Sequence, residues 1–321
     1  MKRTLISGAS GFVGSNLVRR LLRDGHEVHL LLRPGYRSWR LDLIRQDVRL
    51  HVVSLDDAHG LAAVLKEIRP DWVFHLAAYG AYSWQNDLHT MVQTNLIGTM
   101  NLVQACLLVG FECLVNTGSS SEYGLKPYAP SEREWLDPNS HYAVTKASAT
   151  LFCRFTAQDR RVRIPTLRLY SVYGPFEEPA RLIPQLIVNG LKRRLPPLVQ
   201  RTVVRDYVYV DDVTEAYLLA ASHTTENPGP VYNVGSGRQT TIEELVGMAR
   251  QILGIETIPQ WGSMADRSWD TDCWVADSSQ IRSCLGWEPR FTLEEGFRAM
   301  LEWYRSEKSH ALVYDLECRA M

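Results

Sequence analysis

The heptapeptide GASGFVG, residues 8–14, lies between the apolar run Thr4–Ser7 and the amphipathic stretch Phe12–Arg23. Three glycines at this spacing let the backbone turn tightly, so that amides at a helix N-terminus can approach a pyrophosphate. The spacing is one residue longer than the common G-x-G-x-x-G fingerprint, and a turn that only packs also fits it. Between a strand and a helix, the motif predicts a dinucleotide-binding fold.

The first half of the chain alternates short apolar runs with amphipathic stretches, a rhythm that predicts a parallel sheet covered by helices on both faces. After Tyr170 the rhythm breaks into irregular, proline-rich stretches. The predicted fold class is α/β, a Rossmann-type doubly wound parallel sheet with a smaller C-terminal α+β substrate lobe. The sheet domain is assigned residues 1–170 and 204–228, and the lobe residues 171–203 and 229–321.

The predicted elements follow from the same patterns. The strands are Thr4–Ser7, Val28–Leu32, Val48–Val53, Trp72–Leu76, Glu112–Thr117, Arg163–Tyr170 and a strand and turn at Val231–Gly237; the helices include Phe12–Arg23, Leu61–Ile68, Val92–Val109, Asp212–Ser222 and a helix capped by Thr240 or Thr241.

Charge and cysteine usage exclude several classes of function. Lys and Arg number 35 against 36 Asp and Glu, a net charge of −1, which predicts no general affinity for nucleic acid or a membrane surface. The six cysteines are scattered without metal spacing, so neither a metal site nor a disulfide framework is expected. No signal peptide and no apolar run long enough to cross a bilayer are predicted, and a cytoplasmic location is expected.

The tip after the second strand reads Arg33-Pro34-Gly35-Tyr36-Arg37, with Arg40 close behind. An acid at this point would bind the adenosine ribose 2′-hydroxyl of NAD. A guanidinium instead makes paired hydrogen bonds to a 2′-phosphate. The tip therefore predicts a preference for NADP(H), with NAD(H) possible and Arg33 as the main discriminator; an arginine that only ends a strand in solvent is the alternative.

The stretch NSHYAVTKAS carries Tyr142 and Lys146, which lie four residues apart and therefore on one helix face. Asn139 or Ser140 can cap that helix. A nearby lysine is expected to lower the pKa of the phenol, which then serves as general acid or base for a carbonyl. Small hydroxyl groups in NTGSSSEYG, at the end of the fifth strand, could polarise a substrate oxygen beside Tyr142.

Together these motifs resemble the extended short-chain dehydrogenase/reductases that act on nucleotide sugars. The likeness includes "HLAA" at 75–78, "TNLIGTMNL" at 94–102, "RDYVYVDDV" at 205–213, "YNVGSG" and "LGWEP". It implies a catalytic set of Ser119, Tyr142 and Lys146. It further implies cofactor contacts from Gly8, Ser10, Gly11, Phe12, Val13, Gly14, Arg33, Arg37, Ser54, Leu55, Leu76, Ala77, Ala78, Tyr142, Lys146, Tyr170 and Val172. Substrate contacts are implied for Tyr82, Ser83, Ser119, Ser120, Arg181, Leu182, Arg205 and Arg267.

Departures from the family narrow the expected reaction. Dehydratases of the family carry Asp-Glu after the catalytic hydroxyl, where this chain has Ser120 and Ser121. Glu122 lies one position off, and falls on the other face if the strand continues. The pattern is similar to that of reductases of nucleotide-linked 4-keto-6-deoxyhexoses, such as the CDP-abequose and CDP-paratose synthases and the GDP-6-deoxy-4-ketohexose reductases.

The expected activity is NADPH-dependent reduction of the C4 ketone of such a sugar in deoxysugar biosynthesis. A nucleotide-sugar 4-epimerase with bound NAD and a non-catalytic NADP(H)-binding regulatory protein are the alternatives. The resemblance also implies a homodimer formed through the helix at Val92–Val109 and the helix that carries Tyr142.

Overall fold

A seven-stranded parallel sheet forms the larger part of the molecule. The computed structural model describes residues 1–264, 271–306 and Tyr314. The sheet has the strand order β10-β6-β5-β4-β1-β2-β3, and every neighbouring pair is parallel. The predicted Rossmann-like fold is therefore confirmed. The strands are β1 (Arg3–Ser7), β2 (Glu27–Leu32), β3 (Arg49–Val52), β4 (Trp72–His75), β5 (Cys113–Ser119), β6 (Thr166–Leu169) and β10 (Val231–Val234).

Helices cover both faces of this sheet because its strands are apolar on both sides. On one face, α1 and α6 pack through residues such as Leu17 and Tyr217, which are fully buried. On the other, α2, α3 and α4 pack through residues such as Leu65 and Cys153. These helices are α1 (Phe12–Arg23), α2 (Ala58–Ile68), α3 (Leu88–Val109), α4 (His141–Arg160) and α6 (Val210–Ser222).

Helix α3 differs from the sequence prediction in two respects. By length and composition alone it is long and apolar enough to span a membrane, whereas no apolar run of that length was predicted from the sequence. Its residues Leu102, Val103 and Cys106 are nevertheless fully buried in the core between the sheet and its helices. The helix also contains a π-helical segment, Gln93–Ile97, and such segments are common at functional sites.

The smaller lobe has its own core, which includes Ile183, Leu245 and Phe297. Its elements are α5 (Leu182–Leu191), α7 (Ile242–Leu253) and α9 (Leu293–Ser306), with two small sheets. In these, β7 (Ser171–Tyr173) pairs in parallel with β9 (Tyr207–Tyr209), and β8 (Val204–Arg205) pairs antiparallel with β11 (Thr240–Thr241).

The structure divides the chain differently from the boundaries predicted at residues 204 and 229. Strands β8 and β9 belong to the two small sheets and not to the large one. Strand β10 is the edge of the large sheet, where Val231 pairs with Thr166 of β6. Helix α8 (Ser279–Leu285) also packs on the core of the large domain, through Ile281 and the following Trp287. The chain therefore returns to the sheet domain twice before α9 rejoins the lobe.

Candidate active site

The glycine turn lies at the point where the strand order reverses, since β1 is flanked by β2 and by β4. Ligands of open α/β sheets bind at the carboxyl ends of the strands at this point. Gly8 has φ +74°, and a Cβ on it would lie 2.5 Å from the Ala77 nitrogen; a Cβ on Gly14 would lie 2.3 Å from the Gly8 oxygen. Only glycine fits these two positions.

The turn also presents the open N-terminus of α1. Gly11 is the N-cap residue, no side chain caps the helix, and its first turn carries no acid. The free amides and the helix dipole therefore suit an anion such as a pyrophosphate. This geometry fits a dinucleotide held by Gly8, Ser10, Gly11, Phe12, Val13 and Gly14.

The other predicted cofactor residues follow strands along the same edge of the sheet. Ser54 and Leu55 follow β3, Leu76, Ala77 and Ala78 follow β4, and Tyr170 and Val172 follow β6. This common edge is what parallel strands impose. The contacts of these residues with a cofactor stay a prediction.

The three arginines after β2 have different environments. Arg33 and Arg37 are exposed. Arg40 is buried, and its guanidinium donates to the Phe176 oxygen at 2.7 Å and pairs with Glu178 at 3.2 Å. Arg40 therefore ties the segment after β2 to the loop between β7 and α5.

The predicted catalytic residues converge at the end of β5. Ser119 is the last residue of that strand, and Tyr142 shares a side-chain hydrogen bond with it. Ser140 caps α4 by accepting from the Ala143 nitrogen at 3.2 Å, as predicted. Lys146 lies one helical turn after Tyr142, and its ammonium donates to the Thr117 backbone oxygen at 2.5 Å.

The expectation that Lys146 lowers the pKa of Tyr142 is wrong in this arrangement. Burial raises the pKa of Tyr142 to about 12, and the hydrogen bond from Ser119 opposes that rise. Burial also lowers the pKa of Lys146, against the raising effect of the Glu122 carboxylate. The phenol therefore keeps its proton at neutral pH and can donate it.

The condition under which Glu122 was assigned to the other face of the strand is not met, because β5 ends at Ser119. The chain instead turns into a 3₁₀-helix, Ser120–Tyr123, in which Ser119 and Glu122 form a capping box. The Glu122 carboxylate accepts from the Ser119 nitrogen at 2.8 Å and from Thr150 at 3.0 Å. It pairs with Arg168 at 2.8 Å, and both side chains are buried. The acid is therefore turned into the core.

Sequence reasoning missed Asn95, which lies in the π-helical segment and is fully buried. Its amide donates to the Thr145 hydroxyl at 2.9 Å and accepts from the Tyr79 nitrogen at 2.8 Å. It therefore fixes the loop after β4 against the helix that carries Tyr142. Its place within the motif "TNLIGTMNL" was the available signal, but the motif does not reveal a partner fifty residues away.

The predicted substrate residues are only partly brought together. Tyr82 lies close enough to Tyr142 to raise its pKa, and Arg181 and Arg40 in turn act on the pKa of Tyr82. Ser120 is buried beside Ser119, whereas Ser83 is exposed. Leu182 opens helix α5 directly after Arg181, Arg205 lies in β8, and Arg267 lies outside the described residues.

Comparisons with known proteins agree with this geometry. The sequence model of the NAD dependent epimerase/dehydratase family matches residues 4–235. The chain is 31% identical to a UDP-glucose 4-epimerase of Mycolicibacterium smegmatis, over 95% of this chain and 99% of that protein. It is 30% identical to a dTDP-glucose 4,6-dehydratase of Streptomyces griseus, over 95% of this chain and 94% of that protein.

A solved structure is similar over nearly the whole chain. MoeE5 in complex with UDP-glucuronic acid and NAD superposes with a TM-score of 0.82 and 31% identity, covering 94% of this chain and 99% of that one. The relatives are thus nucleotide-sugar enzymes of epimerase and dehydratase type, and a nicotinamide cofactor is supported. The chain belongs to the NAD dependent epimerase/dehydratase family.

Proposed function

We propose that the protein reduces the C4 ketone of a nucleotide-linked 4-keto-6-deoxyhexose with NADPH, a step of deoxysugar biosynthesis. The observation that carries this proposal is the position of Glu122. Elimination of water needs an acid–base pair beside the catalytic hydroxyl. Here the described segment 119–123 offers Ser119, Ser120 and Ser121, while its acid, Glu122, is buried against Arg168.

The protonation state of the site also favours reduction. A ketone that accepts hydride at C4 needs a proton on its oxygen. Burial raises the pKa of Tyr142, which keeps a proton available, and in this proposal Ser119, which hydrogen-bonds Tyr142, holds the developing alkoxide. NADPH would supply the hydride when bound, and in this proposal Lys146, which donates to the Thr117 oxygen beside the end of β5, holds the cofactor ribose.

The NADP(H) preference rests on the tip after β2. Residues 33–41 contain no acid that could accept from a ribose 2′-hydroxyl, and Arg33 is exposed there. The Arg33→Asp variant should lose NADPH affinity by about 10- to 100-fold, the value of one charge-assisted hydrogen bond. Arg45→Asp makes the same charge change on a nearby exposed residue and serves as the control. Equal losses in both variants would contradict the role of Arg33.

A 4-epimerase with resident NAD is the second candidate, because the similar proteins include a UDP-glucose 4-epimerase and MoeE5 is solved with NAD. Such an enzyme would use the same Ser119, Tyr142 and Lys146. A non-catalytic, NADP(H)-binding regulatory role is the weakest of the three, since all three catalytic residues are present and converge.

One pair of assays separates the candidates. Purified protein is mixed with the CDP-, dTDP- or GDP-linked 4-keto-6-deoxyhexose and NADPH, and oxidation of NADPH is followed. In parallel it is given UDP-glucose without added cofactor, and UDP-galactose is sought. Stoichiometric consumption of NADPH supports the reductase. Interconversion of UDP-glucose and UDP-galactose without added cofactor would support the epimerase. Inactivity in both assays would favour the regulatory role.

A homodimer is proposed on the exposed apolar face of helix α4. Val144, Leu151 and Phe155 lie on one side of that helix and are 46%, 55% and 68% exposed. Leu108, near the end of α3, is 71% exposed. Apolar residues at this spacing suit packing against the same helices of a second copy.

A further inference from the structure

Glu177 is a buried acid of the lobe that neither the catalytic set nor the predicted substrate contacts include. It lies in the loop between β7 and α5 and is 4% exposed. Its Oε1 lies 3.5 Å from the Arg181 guanidinium, whose side chain is 41% exposed. Its Oε2 is buried and has no hydrogen-bond partner among the described residues.

A carboxylate in this position is poorly compensated. Burying an ionised carboxylate without full hydrogen bonding is costly, and such a group responds by holding a proton. Burial accordingly raises the pKa of Glu177 to about 8, and the charge of Arg181 is the main opposing influence. Whatever draws the positive charge of Arg181 away from Glu177 will therefore shift the equilibrium further toward the protonated acid.

The surroundings of Glu177 indicate what would draw on Arg181. Burial raises the pKa of Tyr207 to about 12, while Arg205 and Arg181 both lower it and Glu177 raises it. Two guanidiniums thus act on one phenol in the cleft. Tyr82 is influenced by Arg181 on one side and influences Tyr142 on the other. Tyr82 therefore lies near both Arg181 and Tyr142.

Arg181 and Arg205, which both act on Tyr207, suit a diphosphate. Helix α5 begins directly after Arg181, and no side chain caps it. Arginine forks match the oxygens of phosphate groups. On the proposed function, the substrate has its diphosphate one hexose away from the C4 oxygen that Tyr142 protonates.

We propose that Glu177 is the acid behind the diphosphate site: in mildly alkaline solution its carboxylate pairs with Arg181 when no diphosphate is bound, and takes up a proton when a nucleoside diphosphate engages Arg181. The proton removes a negative charge that would otherwise repel the phosphates. This inference rests on the proposed nucleotide-sugar substrate and adds a residue and a proton to its binding. The groups that act on Glu177 or are acted on by it are Arg181, Glu178, Tyr82, Tyr173, Tyr207 and Tyr314.

Calorimetry tests the proton directly. UDP, CDP, dTDP and GDP are titrated into the full chain at about pH 8.5, in buffers of different ionisation enthalpy. With a free pKa of about 8 and a rise of about one unit on binding, uptake of about half a proton is expected. The same rise predicts that the dissociation constant increases about sixfold between about pH 7.5 and about pH 9.5.

Glu177→Gln is the decisive variant, because glutamine has the shape of the protonated acid and cannot ionise. It should bind the diphosphate as the unaltered chain does near pH 7.5, without proton uptake and with affinity level up to about pH 9.5. Glu178→Gln is the matched control: it removes the neighbouring acid, which pairs with Arg40, and should retain the proton uptake. Thermal unfolding confirms that both variants are folded.

The outcomes separate this inference from the proposed function. Diphosphate binding without proton uptake, or the same uptake in Glu177→Gln, would overturn the role of Glu177 alone. If none of the four diphosphates bound to the unaltered chain, both the nucleotide-sugar substrate and the role of Glu177 would be overturned.

Discussion

Substitution of Arg168 by methionine would leave the Glu122 carboxylate buried without its cation. The two side chains are 3% and 0% exposed, and the guanidinium also donates to the Tyr123 hydroxyl at 2.8 Å. Breaking one partner of a buried ion pair costs about 3–5 kcal/mol, because the remaining charge stays desolvated. For a chain of 321 residues, the Arg168→Met variant should therefore unfold at a temperature about 4–7 °C lower than the unaltered chain.

A double-mutant cycle isolates the interaction free energy between Glu122 and Arg168. Glu122→Gln keeps an acceptor for the Ser119 nitrogen but removes the charge, so Arg168 is then the unmatched partner. The double variant Glu122→Gln/Arg168→Met carries neither charge, and should be at least about 2 kcal/mol more stable than the sum of the single losses implies. Urea unfolding followed by circular dichroism measures all four proteins.

Two results would refute this reasoning. A loss below about 1 kcal/mol in Arg168→Met would mean that water or a proton compensates Glu122 cheaply. Strict additivity in the double variant would mean that the two charges do not stabilise each other. Either result would also weaken the proposed function, because the exclusion of Glu122 from the chemistry depends on its pairing in the core.

Further predictions concern the catalytic helix and its surface. Tyr142→Phe should reduce turnover by about 10²- to 10⁴-fold while NADPH still binds, as fluorescence titration would show; turnover near the original rate would exclude the phenol as proton donor. Because burial holds the pKa of Tyr142 at about 12, substrate-saturated reduction should stay level from about pH 7 to about pH 9, and a fall there would mean a lower pKa in the complex. Phe155→Glu should yield monomers in sedimentation, whereas Trp135→Glu, which alters an exposed aromatic elsewhere, should not; a dimer in both would place the interface on another surface. Ser140→Ala should cost about 0.5–2 kcal/mol of stability through the lost cap of α4, and unchanged urea unfolding would contradict that cap.

Local patterns in the sequence were sufficient for the elements of the sheet domain. The glycine turn predicted both the end of β1 and the start of α1, and the prediction of Phe12–Arg23 as a helix is confirmed residue for residue. Each of two caps was narrowed to a pair of neighbouring residues, of which the structure uses Ser140 and Thr241, because capping is a contact over three residues. Such features depend on neighbours in the chain, which a single sequence displays.

Long-range placement was harder to predict. Val231–Val234 is a recognisable strand, but its own residues do not indicate which sheet it joins, because an apolar strand can pair with the edge of either the large or a small sheet. The turn of Glu122 into the core depends on Arg168, which lies 46 residues away in the chain. The expected effect of Lys146 on Tyr142 was wrong because burial, which spacing on a helix does not reveal, dominates the pKa.

What the sequence determined by itself was therefore the α/β fold and the glycine turn, whereas Ser119, Tyr142 and Lys146 as a catalytic set rest on the family resemblance and stay a prediction. The tertiary structure alone decided that the acid after Ser119 is a buried structural charge and that Glu177 lies behind Arg181. The physical reason is that fold class follows from local periodicity, whereas the protonation and role of an acid follow from the desolvation and counter-charges that distant parts of the chain impose.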